Sequence, residues 1–142
     1  MKLGFVGTGN ISSDVITAIC KSKIPFKKIT ISPRNKNNAK ALKKKFRSKI
    51  VVAKNNQEVI NNSDWVFLGV LPEVGKNVLP KLKFKNKQVI ISFISTINYS
   101  QLKKIAKKKL KIVRAIPMPP IRLGKGPVAI YPPDKQVKNF FN

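Results

Sequence analysis

The chain has 142 residues, of which 42% are hydrophobic, enough for a buried core and too many for a disordered polymer. Thirty Lys and Arg stand against five Asp and Glu, a net charge of +25, while one cysteine, Cys20, excludes an internal disulfide. No apolar run approaches the roughly 18 residues of a membrane-spanning helix, and the N-terminus enters a strand with no signal peptide before it, so a cytoplasmic protein is expected.

In chain order, residues 2–6 are predicted as a buried strand that ends in Gly7-Thr8-Gly9. A helix over 10–21 follows at once, with Ile11, Val15, Ile16, Ile19 and Cys20 on one face, so Cys20 is expected in the core. Pro25 breaks that helix, and the β-branched "KKITIS", 27–32, is a second strand. A turn and helix over 33–46 carry Ala39, Leu42 and Phe46. "KIVVA", 49–53, is a third strand, and 56–63 is a short helix or turn. "DWVFLGV", 64–70, is almost wholly apolar, the mark of a strand buried on both faces of a parallel sheet. A helix over 72–82, open to interruption at Gly75 and Pro80, leads to a strand at 87–95. A helix over 98–107 with Leu102, Ile105 and Ala106 on one side and a strand at 111–116 come next. A Pro/Gly loop at 117–127, a seventh short strand at 128–131 and a helix from near Asp134 complete the chain. Strand and helix alternate throughout, which predicts a Rossmann-like, doubly wound α/β fold: a mostly parallel sheet with helices on both faces.

The glycine turn gains meaning from that context. Gly7 suits a sharp turn and Gly9 leaves room for a pyrophosphate against the backbone. Ser12 stands where the third small residue of G-x-G-x-x-G/A belongs, and the N–H groups of Asn10 and Ile11 face outward at a helix start. At the end of the second strand an acid would select NAD by holding its ribose 2′-OH. The chain has Ser32-Pro33-Arg34-Asn35-Lys36 instead, and the planar donor fork of Arg34 suits the 2′-phosphate of NADP. The lysines spread over 21–28, 36–49, 81–87 and 103–111 with few aromatics between them. They admit a nucleic-acid or acidic-membrane binder, but a drift in composition toward lysine accounts for them better, which leaves nucleic acid to non-specific electrostatics. Against that background the four arginines, Arg34, Arg47, Arg114 and Arg122, are the informative cations.

These motifs together resemble the N-terminal cofactor domain of the pyrroline-5-carboxylate reductases. The family's G-x-G-N-M-A is matched by Gly7-Thr8-Gly9-Asn10-Ile11-Ser12, and its "AD" followed by "AVKP" by Ser63-Asp64 and Gly69-Val70-Leu71-Pro72. Its "VRxMPNTP" is matched by Val113 to Pro120, and its "GxxALY" by Gly126 to Tyr131. The resemblance spans all 142 residues and implies an NADP-dependent reductase passing hydride from NADPH to a cyclic imine, represented here by its cofactor-binding domain. It implies that Gly7, Thr8, Gly9, Asn10 and Ile11 cradle the pyrophosphate and that Ser32 and Arg34 flank the adenosine ribose. It implies further that Asn56 and Gly69, Val70, Leu71 and Pro72 line the ribose and nicotinamide side. Where the family has Lys in "AVKP" this chain has Leu71, and Met118-Pro119 replaces its Asn-Thr, so the substrate pocket departs from the family. The family's helical dimerisation domain is expected to be absent from residues 1–142, which leaves catalysis and homo-oligomer formation dependent on its supply. With no histidine and no carboxylate pair, the sequence nominates no catalytic residue and no metal ligand. A non-catalytic dinucleotide-binding module and a basic nucleic-acid-binding protein stay open beside the reductase.

Overall fold

In the computed structural model, which describes residues 1–106, 110–118 and 120–142, seven strands form one sheet in the order β3-β2-β1-β4-β5-β6-β7. The strands are β1 (Lys2–Val6), β2 (Lys28–Ile31), β3 (Ile50–Val52), β4 (Trp65–Leu68), β5 (Val89–Ser92), β6 (Lys111–Pro117) and β7 (Val128–Tyr131). Strands β1 to β6 are parallel, and β7 closes one side antiparallel to β6. Every residue of β4 and β5 is buried, as their apolar runs require.

The helices are α1 (Asn10–Lys21), α2 (Lys36–Phe46), α3 (Asn56–Asn61), α4 (Pro72–Val78), α5 (Tyr99–Ala106) and α6 (Lys135–Phe141). They split into two layers. Helices α1, α2 and α6 close one core with Val15, Ile16, Leu42, Val137 and Phe140; α3 to α5 close the other with Val59, Ile60 and Leu102. Phe5 stacks on Phe67 at 4.5 Å, and Phe140 of α6 lies 5.1 Å from Trp65, which ties α6 to the middle of the sheet.

Local sequence explains the helix ends. Asn35 and Asn55 accept the N–H of Asn38 and Glu58, and Glu58 returns a carboxylate to the N–H of Lys54 at 2.6 Å. Asp134 caps α6 by accepting from Val137 and pairs with Lys111 at 2.8 Å. Burial pushes its pKa up, but the Lys111 ammonium and the Val137 N–H outweigh this and hold the carboxyl below its ordinary range.

Three expectations change. Ile11 is 39% exposed rather than part of the apolar face of α1; in that first turn it is Ser12 that faces inward, against Gly69. Gly75 does not interrupt α4; it is buried where the helix meets Ile94 and Ile97, and the α-helix gives way to a 3-10 turn, Leu79–Lys81, only around Pro80. The strands are also shorter than their apolar runs, since residues such as Gly69 and Val70 leave the ladder to enter turns. Lys107, expected to end the helix over 98–107, and Pro119 of the proline loop lie outside the described residues, as do Lys108 and Lys109. No helix among the described residues is long and apolar enough to cross a membrane.

Cys20 is buried at 6% exposure, and its pKa is pushed up to about 11, chiefly by burial and only partly offset by the Lys49 charge. Burial disfavours the thiolate, so the folded pKa exceeds the unfolded one. The thiol's contribution to stability is therefore full below about pH 9 and is lost as pH rises to about 11. Denaturant unfolding across this range should show a decline that is smaller in Cys20→Ala; an identical decline in both would remove Cys20 as a cause.

Candidate functional site

The strand order reverses between β1 and β4, and the two strands hand the chain into adjacent turns at the carboxyl edge of the sheet. In such sheets that edge, outside the switch point, is where a ligand fits. The first turn needs glycine at one place for the fold. Gly7 has φ +96, and a Cβ there would lie 2.5 Å from the carbonyl oxygen of Gly69. Gly9 differs: it is the N-cap of α1 with ordinary φ −69, and a Cβ there would meet nothing within 4 Å. Its missing side chain therefore opens space beside the N–H groups of Asn10 and Ile11, which have no carbonyl four residues back to receive them.

Two hydroxyls mark the same place. Thr8 and Ser12 are 2% and 1% exposed, and neither side-chain oxygen has a hydrogen-bond partner among the described residues. A buried hydroxyl left unpaired costs about 1–3 kcal/mol, so a pair of them beside an open cradle points to something polar that completes it. Ser12 also sets the spacing to the second turn, since a Cβ on Gly69 would stand 2.1 Å from its Oγ. Small residues on both sides let α1 close on the end of β4.

The turn is held from outside by residues far away in sequence. The Gly7 N–H donates to Ser32 Oγ at 3.0 Å, and that hydroxyl donates to Asn56 Oδ1 at 2.6 Å. Asn38 Nδ2 donates to the Thr8 carbonyl at 2.7 Å, and Ser13 Oγ donates to the same oxygen at 3.3 Å. Ser32, expected to flank an adenosine ribose, lies in this network behind the turn. It is 1% exposed, with its only proton and an acceptor site engaged by Asn56 and Gly7. Asn56 joins it through the same bond. Asn38 escaped sequence reading; the only signal was its place in the first turn of the helix that follows the second strand.

Arg34 stands exposed in the turn between β2 and α2, and no acid pairs with it among the described residues. On the other side, Gly69 and Val70 are half-buried, Leu71 is 72% exposed, and Pro72 opens α4. Ile11, Leu71, Met118 at 49% and Leu123 at 69% give this edge an apolar rim. A hollow of about 450 Å³ lies away from the crevice between β7 and α6, and one of about 420 Å³ between α1 and α2 adjoins it at Asn10 and Asn38. The second holds Asp14 and Arg122, 4.0 Å apart and exposed, a pair of little energetic weight.

Residues 2–98 match the model of the family described as NADP oxidoreductase, coenzyme F420-dependent. The chain is 30% identical over 129 residues to pyrroline-5-carboxylate reductase 3 of Danio rerio, covering 89% of this chain and 44% of that one. It is 32% identical over 133 residues to the pyrroline-5-carboxylate reductase of Aquifex aeolicus (strain VF5), covering 92% and 47%. The fold is similar to that of a pyrroline-5-carboxylate reductase from Coxiella burnetii, with a TM-score of 0.83 at 24% identity over 96% of this chain and 52% of that one. It is likewise similar to the Plasmodium falciparum pyrroline carboxylate reductase solved with NADP bound, with a TM-score of 0.81 at 22% identity over 100% and 53%. The chain spans about half the length of the curated relatives it matches.

Proposed function

Since the chain belongs to the family of coenzyme F420-dependent NADP oxidoreductases, we propose that its carboxyl edge holds NADP(H) and that it forms the cofactor half of a pyrroline-5-carboxylate-type reductase. The observation that carries the reading is the open cradle at Gly9 beside the unpaired hydroxyls of Thr8 and Ser12. That cradle fits a pyrophosphate by size and by donor chemistry.

NADPH, when bound, supplies a hydride for reduction of a carbon–nitrogen double bond. The chain's own part is to bind and orient. The N–H groups of Asn10 and Ile11 and the dipole of α1 would receive the pyrophosphate, with Thr8 and Ser12 satisfied in the same event. Ser32, Asn38 and Asn56 keep the turn in the shape that presents those donors. Arg34 would meet the 2′-phosphate, with no acid nearby to compete or to prefer NADH. Gly69, Val70, Leu71 and Pro72 would form the wall on the nicotinamide side, and the apolar rim of Ile11, Leu71 and Met118 would keep water from it.

Titration of NADPH and NADH by fluorescence tests the cofactor assignment. Arg34→Ala should weaken NADPH by about one decade, the lower end for a charge-assisted contact because Arg34 is exposed, and leave NADH nearly unchanged. The comparison belongs at moderate salt, where the field of +25 is screened. Equal loss of both cofactors would strip the NADP preference of its residue.

A second reading, a dinucleotide-binding module without catalysis, is favoured by the same rim. Ile11, Leu71, Met118 and Leu123 offer no proton to a reacting nitrogen. Consumption of NADPH with 1-pyrroline-5-carboxylate supports the reductase; tight NADPH binding without consumption supports the module.

A further inference from the structure

The edge opposite the cradle carries a continuous basic face. All of β1 to β6 begin on that edge, and the segments that feed β2, β3 and β5 are 21–28, 47–49 and 83–87. They hold nine Lys and Arg and no acid, and all nine are exposed. Hydrogen bonds stitch the segments side by side in the order of the strands. Lys49 Nζ donates to Cys20 O at 3.0 Å and Lys28 Nζ to Ser48 O, which joins the entries to β3 and β2. The Lys27 N–H donates to Met1 O and the Lys2 N–H to Asp64 Oδ2, both at 2.8 Å, and Lys85 Nζ donates to Asn61 O at 2.8 Å. These carry the surface on through β1 and β4 to β5.

The acids do not neutralise it. Asp64, exposed at the entry to β4, is among the described residues the one acid on this edge between β3 and β5 and accepts the backbone N–H of Lys2, one negative charge against nine positive ones, while Asp134 is held by Lys111 and Val137. Asp14, Glu58 and Glu73 sit in the early turns of α1, α3 and α4, on the cradle's side of the sheet. Drift toward lysine accounts for the number of cations but not for this polarity. A parallel topology that gathers strand entries on one edge concentrates the charge there.

We propose that this edge docks on the phosphate backbone of a nucleic-acid duplex, by charge and without reading bases. The cations are almost all lysine, point charges suited to neutralising phosphates rather than the arginine forks that read base edges. A membrane surface needs apolar insertion or a lipid beside the charge. Of the large exposed apolar side chains, Ile11, Leu71, Met118 and Leu123 follow the carboxyl ends of the strands, Val51, Val52 and Tyr131 lie within the outer strands β3 and β7, and Met1 stands at the basic edge, so none of the segments that hold the nine cations carries one. From β3 to β5 the edge crosses four strand spacings, about 19 Å, or roughly five to six base-pair steps. Because the two edges are opposite, duplex and dinucleotide are held independently.

Fluorescence anisotropy with two labelled duplexes of unrelated sequence tests this. Both should bind alike, and affinity should fall by about two to three decades between ~50 and ~200 mM salt, as expected for roughly four to five neutralised phosphates. The triple variant Lys23→Glu, Lys27→Glu, Lys83→Glu should lose at least about tenfold more affinity than Lys54→Glu, Lys76→Glu, Lys125→Glu, which changes the charge equally away from this edge. NADPH binding should persist in the first triple and confirms that it is folded. Should charge reversal impair folding, the neutral set Lys23→Gln, Lys27→Gln, Lys83→Gln should still flatten the salt slope by about two to three. Equal losses in the two glutamate triples, sequence-selective binding, no binding at ~50 mM salt, or tighter binding to phosphatidylserine vesicles than to duplex would each overturn the proposal.

Discussion

Gly9→Val should abolish NADPH binding, a loss of at least about a hundredfold, while the protein still folds. The separation of the two effects comes from geometry. Gly9 has φ −69 and ψ −172, an extended conformation open to valine, and its Cβ direction is empty of protein atoms to 4 Å. The only structural penalty is a poorer N-cap, below about 1 kcal/mol relative to glycine. The same branched side chain would fill the cradle into which the Asn10 and Ile11 N–H groups face, and would displace a pyrophosphate bodily. A fluorescence titration with NADPH beside a thermal melt reads both quantities. Retained affinity in the folded variant would show that the dinucleotide is not held at this turn, and with that the proposed function would lose its support.

Two residues earlier the balance inverts. Gly7→Ala should lower stability by about 3 kcal/mol, or roughly 10 °C in Tm. At φ +96 any L side chain is strained, which accounts for about 1–2 kcal/mol. The new methyl would also stand 2.5 Å from Gly69 O and 2.8 Å from Val70 Cγ1. The carbonyl cannot yield easily, because the Gly69 N–H is bonded to Val6 O at 2.9 Å and holds the two turns together. Overpacking of this kind adds about 1–3 kcal/mol. Circular dichroism through thermal unfolding measures the effect, and a Tm within about 2 °C of the parent would mean that the β1 and β4 turns are not packed as described. Together the two outcomes would separate the glycines, Gly7 serving the fold and Gly9 the proposed dinucleotide.

The sequence by itself determined the elements and the place of the glycine turn. Apolar runs and 3.6-residue periodicity are local properties, and so are the Asn35, Asn55 and Asp134 caps; each can be read within a few residues. A glycine pair at the end of one such run and the start of a helix is equally local, which is why the turn between β1 and α1 was legible. Tertiary structure alone decided what holds that turn. Ser32 reaches Gly7 across 25 residues, Asn38 reaches Thr8 across 30, and Gly69 limits Gly7 only because β4 lies beside β1. Nothing in the pattern around Ser32 distinguishes a hydroxyl that meets a ribose from one buried against a backbone N–H; burial decides it. Ile11 fits the apolar stripe of its helix yet is exposed, while the neighbouring Ser12 takes the inward place against Gly69. The lysine runs looked evenly scattered along the chain. Parallel strands all start on one edge, so the topology collected 21–28, the end of 36–49 and most of 81–87 on one edge and left the glycine turn on the other.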